Sequence, residues 1–427
     1  MNSLISHNGA LNAHNYLLNG KNTSPDLKTG QHAQWTVQSG KKYLFRIVNS
    51  AAQNSWWMHF DQHNMTVIAA DFVPIVPYTT SWLAIATGQR YDVIITADQP
   101  VSNYFFRAVT QLACPSGTDN TGLGAANGII SYAGGNTTLL PTSTYGNVSA
   151  SFFATCKDEP IASLVPWLKK TAGSSSLFTS SSTTLPAGNI TKVATSDDGA
   201  VFRWFLNGNS FVNVNWTQPT LESLAQNNTK AISNAIILPQ TSVQWVYFVI
   251  QNVFAPAHPM HLHGHDFALL GQGTGTFVPS TMTSTLNFAN PPRRDTAMLM
   301  GGTAAGGGYT VIGFETDNPG AWLMHCHIAW HADGGLAMQF IERQDEIPAA
   351  QWTSNTSFQD QCDAYESFNA LTGKGIKTSG ESGLKKRWFE EDAESSVVRK
   401  SERSEKKYLE NVARGLGDGY KPRHVRR

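Results

Sequence analysis

The run His325-Cys326-His327-Ile328-Ala329-Trp330-His331 places one thiol between two imidazoles, with a third imidazole five residues beyond the cysteine. Neighbouring side chains on an extended strand point to opposite faces. Cys326 therefore faces one way, and His325 and His327 face the other. A cysteine sulfur with two imidazoles in a trigonal set, and a weak or absent axial ligand, is the donor set of a blue-copper electron-transfer centre. Cys326 and His331 supply two of those three donors. The third is sought upstream, in His258-Pro259-Met260-His261-Leu262-His263-Gly264-His265. Pro259 fixes the backbone beside His258 and sets it apart, free to turn towards Cys326. His261 and His263 share a strand face, which suits the two-histidine half of a second metal site.

Seven of the 13 histidines fall in these two short runs. A lone histidine on an apolar face is usually structural, but seven interlocked with a cysteine point to metal. Zinc is the rival ion. It prefers a closed tetrahedral set, whereas this pattern offers one thiolate and a surplus of imidazoles.

Taken together, the two motifs resemble the C-terminal copper signature of the multicopper oxidases, and most of all that of the laccases of filamentous fungi. The stretches Pro291-Pro-Arg-Arg-Asp295-Thr and Thr66-Val-Ile-Ala-Ala-Asp71 extend the likeness, which covers roughly residues 15 to 385. The resemblance implies that His258, Cys326 and His331 hold a blue copper, with His331 the more exposed imidazole. It assigns His263, His325 and His327 to the paired coppers of a three-copper cluster and His261 to the lone one. Leu336, ten residues after the cysteine, stands at the axial place and cannot ligate, which should leave the copper three-coordinate and more oxidising. Met338 is the rival axial group. The implied partners are a small aromatic reductant and dioxygen, which is reduced to water. The family's cluster takes eight histidines. No His-Trp-His, and no His-x-His outside the two runs already quoted, occurs in these 427 residues to supply the other four, so the chain is expected to carry half the cluster and to be a fragment lacking an N-terminal domain. With the full set of domains it would be a monomer.

The resemblance also pairs Cys114 with Cys156 as a disulfide and leaves Cys362 without its family partner. It places Gln53 where many fungal laccases carry a pocket carboxylate. Because an amide cannot take a phenol's proton, the preference for phenols is an open expectation. Glu381-Ser-Gly-Leu384 followed by Lys385-Lys-Arg387 resembles the family's C-terminal plug, and cleavage after Leu384 is expected.

The elements that must hold these motifs are β-strands. Charged residues make up only 15% of the chain, with 36 Gly and 19 Pro, and strand-like runs punctuated by turn residues recur throughout. The expected fold is all-β: two cupredoxin-like Greek-key β-sandwich domains joined by a long linker, with a charged C-terminal tail. Residues 1–135 form the first sandwich, with Trp56 and Trp57 in its core and His59 and His63 as structural or surface residues. Residues 136–195 are a Ser/Thr-rich linker whose run Ser174–Thr184 is expected to be a surface connection. Residues 196–370 form the copper-binding sandwich, and 371–427 the plug-like segment and tail. Arg293, Arg294 and Asp295 are read as structural ion-pairing residues.

The net charge of zero hides a basic tail and a mildly acidic body, which gives no footprint for nucleic acid. Nothing approaches the ~18 consecutive apolar residues of a membrane span. Residues 1–9 contain no apolar signal region. Eight Asn-x-Ser/Thr acceptors are present, at Asn22, Asn64, Asn136, Asn147, Asn189, Asn215, Asn227 and Asn355, so an extracellular body is expected. Three functions remain open: a laccase-type phenol oxidase, another multicopper oxidase acting on metal ions or ascorbate, and a blue-copper electron-transfer module without oxygen reduction.

Overall fold

The computed structural model describes residues 15–24, 28–114, 125–194, 200–211, 219–225, 234–302, 307–347 and a few positions between 360 and 367. All of these belong to one unit, Ser3–Glu381. Cys362, the plug-like stretch at Leu384, the charged tail, and the acceptors Asn215, Asn227 and Asn355 lie outside the described residues.

The first half alternates as a two-layer sandwich should. One sheet has the order β2-β7-β4-β5, with β2 Lys42–Val48, β4 Met65–Ala70, β5 Val73–Thr80 and β7 Arg90–Thr96. The other runs β1-β9-β8-β3-β6, with β1 Ala33–Val37, β3 Trp56–Phe60, β6 Leu83–Ile85, β8 Asn103–Thr110 and β9 Ala125–Tyr132. Along β7 every second residue is buried, the mark of one face on the core and one towards solvent. Strand β3 is different, because Trp-Trp-Met-His-Phe is buried throughout. Trp56, Met58 and Phe60 enter the main core, while Trp57 packs with Ala84 and Phe153 beneath a covering segment.

The second half is thicker. One sheet is ordered β11-β10-β13-β18-β15-β16: β10 Thr183–Ala194, β11 Ala200–Leu206, β13 Trp245–Asn252, β15 Phe267–Thr274, β16 Arg293–Arg294 and β18 Gly308–Glu315. The other is ordered β12-β20-β19-β14-β17: β12 Ala235–Ile237, β14 His258–Leu262, β17 Thr296–Leu299, β19 Gly320–Cys326 and β20 Ala337–Glu342. Between the sheets lies a core of Leu206, Phe248, Met260, Leu262, Phe314, Met324, Cys326 and Phe340. A second apolar layer, with Phe178, Tyr247, Val249 and Phe277, covers the far face of β13. Burial on both faces is why β18 and β20 read as nearly continuous apolar runs.

Part of the expected linker is folded into this half. Ser175–Ser181 is a helix whose N-cap, Ser174, accepts from the Leu177 N–H, and Phe178 is fully buried. Thr183–Ala194 is strand β10, paired with β11 and parallel to β13. The Ser/Thr bias concealed two apolar anchors, Phe178 and Leu185, both at 0% exposure.

A buried ion network closes the seam between the halves. Arg294 is fully buried and donates to Asp71 at 2.7 Å and to Asp158 at 3.3 Å. Arg90 forks onto the Asp295 carboxylate with two bonds of 2.6 Å, the bidentate geometry that suits a guanidinium. Arg294 and Asp295 thus do pair, with partners far away in sequence.

Candidate metal centre

Strand β19 delivers the site. Its burial alternates, Met324 and Cys326 turned inward and His325 outward, so consecutive residues serve opposite faces. It pairs with β14 in the register Met260 to Cys326 and His261 to His325, which brings the two histidine runs side by side. The chain then leaves β19 through a short helix, Ala329–Asp333. It returns through Gly335, whose φ of +104° lies where glycine is favoured. The His331 carbonyl accepts from Leu336 N–H at 2.9 Å, and the Leu336 carbonyl accepts from Cys326 N–H at 3.0 Å. That closure carries His331 back over the cysteine.

On the inward face, Cys326 Sγ lies 3.7 Å from His258 Nδ1 and 3.6 Å from His331 Nδ1, and those two nitrogens are 3.1 Å apart. Cys326 and His258 are completely buried, whereas His331 is only partly so. Trp204 lies over the His331 ring, centroids 4.1 Å apart, and meets His258 edge-on at 5.1 Å. Burial pushes the His258 imidazole down to about 3 and His331 well below its ordinary range. Both rings are therefore neutral and can present lone pairs. Burial also pushes the Cys326 thiol well above the usual range, so a metal entering here must displace its proton.

The outward face gathers a second set. His261, His263 and His325 bring one ligand atom each within 4.8 Å of one another, and His263 Nε2 stands 3.2 Å from His325 Nε2. Burial lowers all three, His325 to about 4. His263 is exposed, so this face is open where the other is closed. His327 lies past the end of β19, held by its N–H on the Pro259 carbonyl at 2.7 Å. Its ring is 5.8 Å from that of His325 and 5.9 Å from that of His261. It faces the same side without joining the three converging nitrogens. His265 turns away to the buried Glu342 carboxylate at 2.9 Å and packs on Phe314.

The donor chemistry fits metal on both faces. Two imidazole nitrogens 3.1 Å apart and one sulfur 3.6–3.7 Å from each form a compact, convergent donor triangle. One soft and two borderline donors match copper better than a hard cation. Ala337 pairs with His325 and Met338 with Met324, and the Cys326 N–H donates to the Leu336 carbonyl, so Leu336 comes next in register, opposite Cys326. Met338 sits two pairs further along, opposite Met324.

Around these sets lie Gln53, which was expected there, and Trp204, Phe254 and the Asp295 carbonyl, which were not legible as parts of the site. Asp295 accepts His261 Nδ1–H on its backbone oxygen at 2.8 Å. Gln53 is buried, and its oxygen accepts the Trp330 indole N–H at 2.9 Å. That oxygen is occupied in holding the loop beside His331. Trp204 and Phe254 bring aromatic rings to the same corner. Elsewhere, Cys114 and Cys156 form a disulfide. His59 and His63 are buried structural residues rather than surface ones.

Comparison with known proteins gives the family. Two multicopper oxidase family models match, at residues 2–135 and 207–346. Laccase-1 of Botryotinia fuckeliana is 40% identical over 357 residues, covering 82% of this chain and 58% of the relative. Laccase-3 of the same organism is 41% identical, covering 79% and 73%. A crystal structure of laccase from Botrytis aclada superposes with a TM-score of 0.72 at 36% identity, covering 85% of this chain and 64% of that one. The chain belongs to the multicopper oxidase family, a class of copper oxidoreductases built on cupredoxin-like β-sandwiches. It spans about three fifths of the length of Laccase-1 and of the Botrytis aclada chain.

Proposed function

We propose that the chain carries laccase-type chemistry: one-electron oxidation of phenolic or related aromatic reductants, coupled to reduction of dioxygen to water. His258, Cys326 and His331 would hold a blue copper, with Leu336 as the non-ligating axial neighbour. His261, His263, His325 and His327 would serve the oxygen-reducing coppers. When bound, copper supplies the one-electron and dioxygen chemistry that sulfur and imidazole lack. The chain's own contribution is placement. Cys326 and His325 are adjacent residues on one strand, so the two ligand sets are separated by a single peptide unit and its side chains. That adjacency is the observation that carries the reading.

The partly exposed His331 offers the reductant an edge, beside the Trp204 ring. Gln53, with its oxygen bound to Trp330, provides no carboxylate there to take a phenol's proton. Aromatic donors that release an electron without prior deprotonation should therefore be oxidised comparatively well. An extracellular setting is supported by the Cys114–Cys156 disulfide and by the exposed acceptors Asn64, Asn136 and Asn147.

A second reading, a blue-copper electron-transfer module, is favoured by the contrast between the buried sulfur set and the exposed His263. Copper per chain, visible absorbance and oxygen uptake separate the two. Blue colour with oxygen consumption supports the oxidase. Blue colour with one copper and no uptake selects the module, and a colourless copper-loaded protein sinks both.

A further inference from the structure

We propose that the turn Gly88–Arg90, in the half of the molecule that holds none of the proposed ligands, is a positioning element for the imidazole face: Arg90 fixes His261 through Asp295, and Gly88 makes room for His327. This rests on the functional reading above. Arg90 donates to the Gly88 carbonyl at 2.8 Å and forks onto both Asp295 oxygens at 2.6 Å. Its own N–H is held by Asp71 at 2.7 Å. The guanidinium is thus tied at one end to the first half and at the other to Asp295.

Asp295 in turn grips His261. Its backbone oxygen lies 2.8 Å from His261 Nδ1, and a carbonyl can only accept, so Nδ1 carries the proton. The Nε2 lone pair is left for metal, and the ring's orientation is set by the other nitrogen's bond. The Asp295 carboxylate, 3.7 Å from the same Nδ1, adds negative charge that makes the imidazole a stronger donor. The fork from Arg90 fixes the Asp295 side chain in place beside the ring.

Two residues earlier, Gly88 has a φ of +88°, and a Cβ built on it would lie 2.4 Å from the His327 ring. The imidazole rests on bare backbone. A methyl at this position would strain the turn and displace the ring.

The test uses the full 427-residue chain as wild type, R90K and G88A. R90K keeps the charge but loses the fork. Imidazole 15N NMR of the metal-free proteins, with H261Q to assign the His261 signals, reads the tautomer. Titration with Cu2+, followed by electron paramagnetic resonance, reads the imidazole site apart from the sulfur site. The expected result is an Nδ1–H tautomer at His261 in wild type that becomes mixed in R90K. Cu2+ affinity at the imidazole face should fall about 10- to 100-fold in R90K, and G88A should shift the His327 resonances. The sulfur-to-copper signal should stay unchanged in both. Unaltered tautomer and affinity in the variants would overturn the proposal alone. Equal loss of both copper signals would overturn it too, because a positioning role confines the damage to one face. Absence of any imidazole-face Cu2+ in wild type would overturn the functional reading with it.

Discussion

His59 and His63 in the first half are nearly as deeply buried as His258 in the second, and all three rings are pushed towards the neutral form by that burial. Their nitrogens point to different ends. His59 Nδ1 meets the Ser81 carbonyl and His63 Nδ1 the Asp61 carbonyl, each at 2.7 Å. His63 Nε2 meets the Tyr132 hydroxyl at 2.8 Å, and the His59 ring stacks on Trp82. Each ring is bonded outward to a separate protein group. Around Cys326 the donor atoms instead point at one another. Residue type and burial are common to both sandwiches, and convergence of lone pairs is what separates a metal site from a well-packed core.

The largest test of that difference is Cys326→Ser. Removing the sulfur should abolish the intense visible absorption of the copper-loaded chain completely, since an alkoxide or hydroxyl is no substitute for thiolate at such a centre. Copper bound by His261, His263 and His325 should remain, so copper content falls without reaching zero. Absorbance and copper analysis on the same sample decide it. A blue C326S protein would break the comparison outright.

The seam between the halves comes next. Arg294 neutralises two buried carboxylates, Asp71 and Asp158. Arg294→Met removes the cation and leaves the anions in place, the arrangement that costs about 3–5 kcal/mol when one partner of a buried pair is lost. Urea unfolding should show a stability loss of that size, read as a lowered midpoint at unchanged m. If the shift is absent, the two sandwiches are held together by other contacts.

Glu159 offers a pH-dependent version of the same question. It is buried against the first half, accepting from Ala84 N–H at 2.7 Å and from the Tyr78 hydroxyl at 2.8 Å. Burial pushes its carboxyl up to about 7 from 4.5. The folded chain therefore binds this proton more tightly than the unfolded chain does. Its contribution to stability is full below about pH 4.5 and is lost as pH rises through 7. The loss amounts to at most about 3 kcal/mol at 1.4 kcal/mol per unit. Glu159→Gln should flatten the stability curve across that window. Parallel curves for the two proteins would show that the carboxyl is not held neutral.

Much of this was readable in the sequence, for a physical reason. Strand alternation puts Cys326 and His325 on opposite faces whatever surrounds them, and Leu336 falls opposite the sulfur through a short closed loop. Contacts between distant residues had no such local signature. Arg90 and Asp295 are 205 positions apart, and nothing in the Tyr91–Thr96 strand pattern announces the guanidinium before it. The Ser174–Thr184 run is mostly exposed, as a surface connection should be, but its composition did not show that one buried phenylalanine and one N-cap would fold it as a helix once a sheet is there to receive it. Gln53 lies at the expected corner, but the sequence could not show that Trp330 would take its oxygen.

The smallest expected effect is also the sharpest control on the opening contrast. His63→Gln removes one ring from the first half and with it the bond to the Tyr132 hydroxyl, which also accepts from the Gln99 N–H. A glutamine cannot reach both the Asp61 carbonyl and that hydroxyl with the geometry of a rigid ring, so about 1 kcal/mol of stability should be lost. Copper content and the blue band should not change, because the ring's nitrogens are committed to protein groups and converge with no other donor. Copper stoichiometry measured at matched folded fractions reads this directly. A lowered copper count in H63Q would mean that burial in the first half, too, had been hiding a ligand.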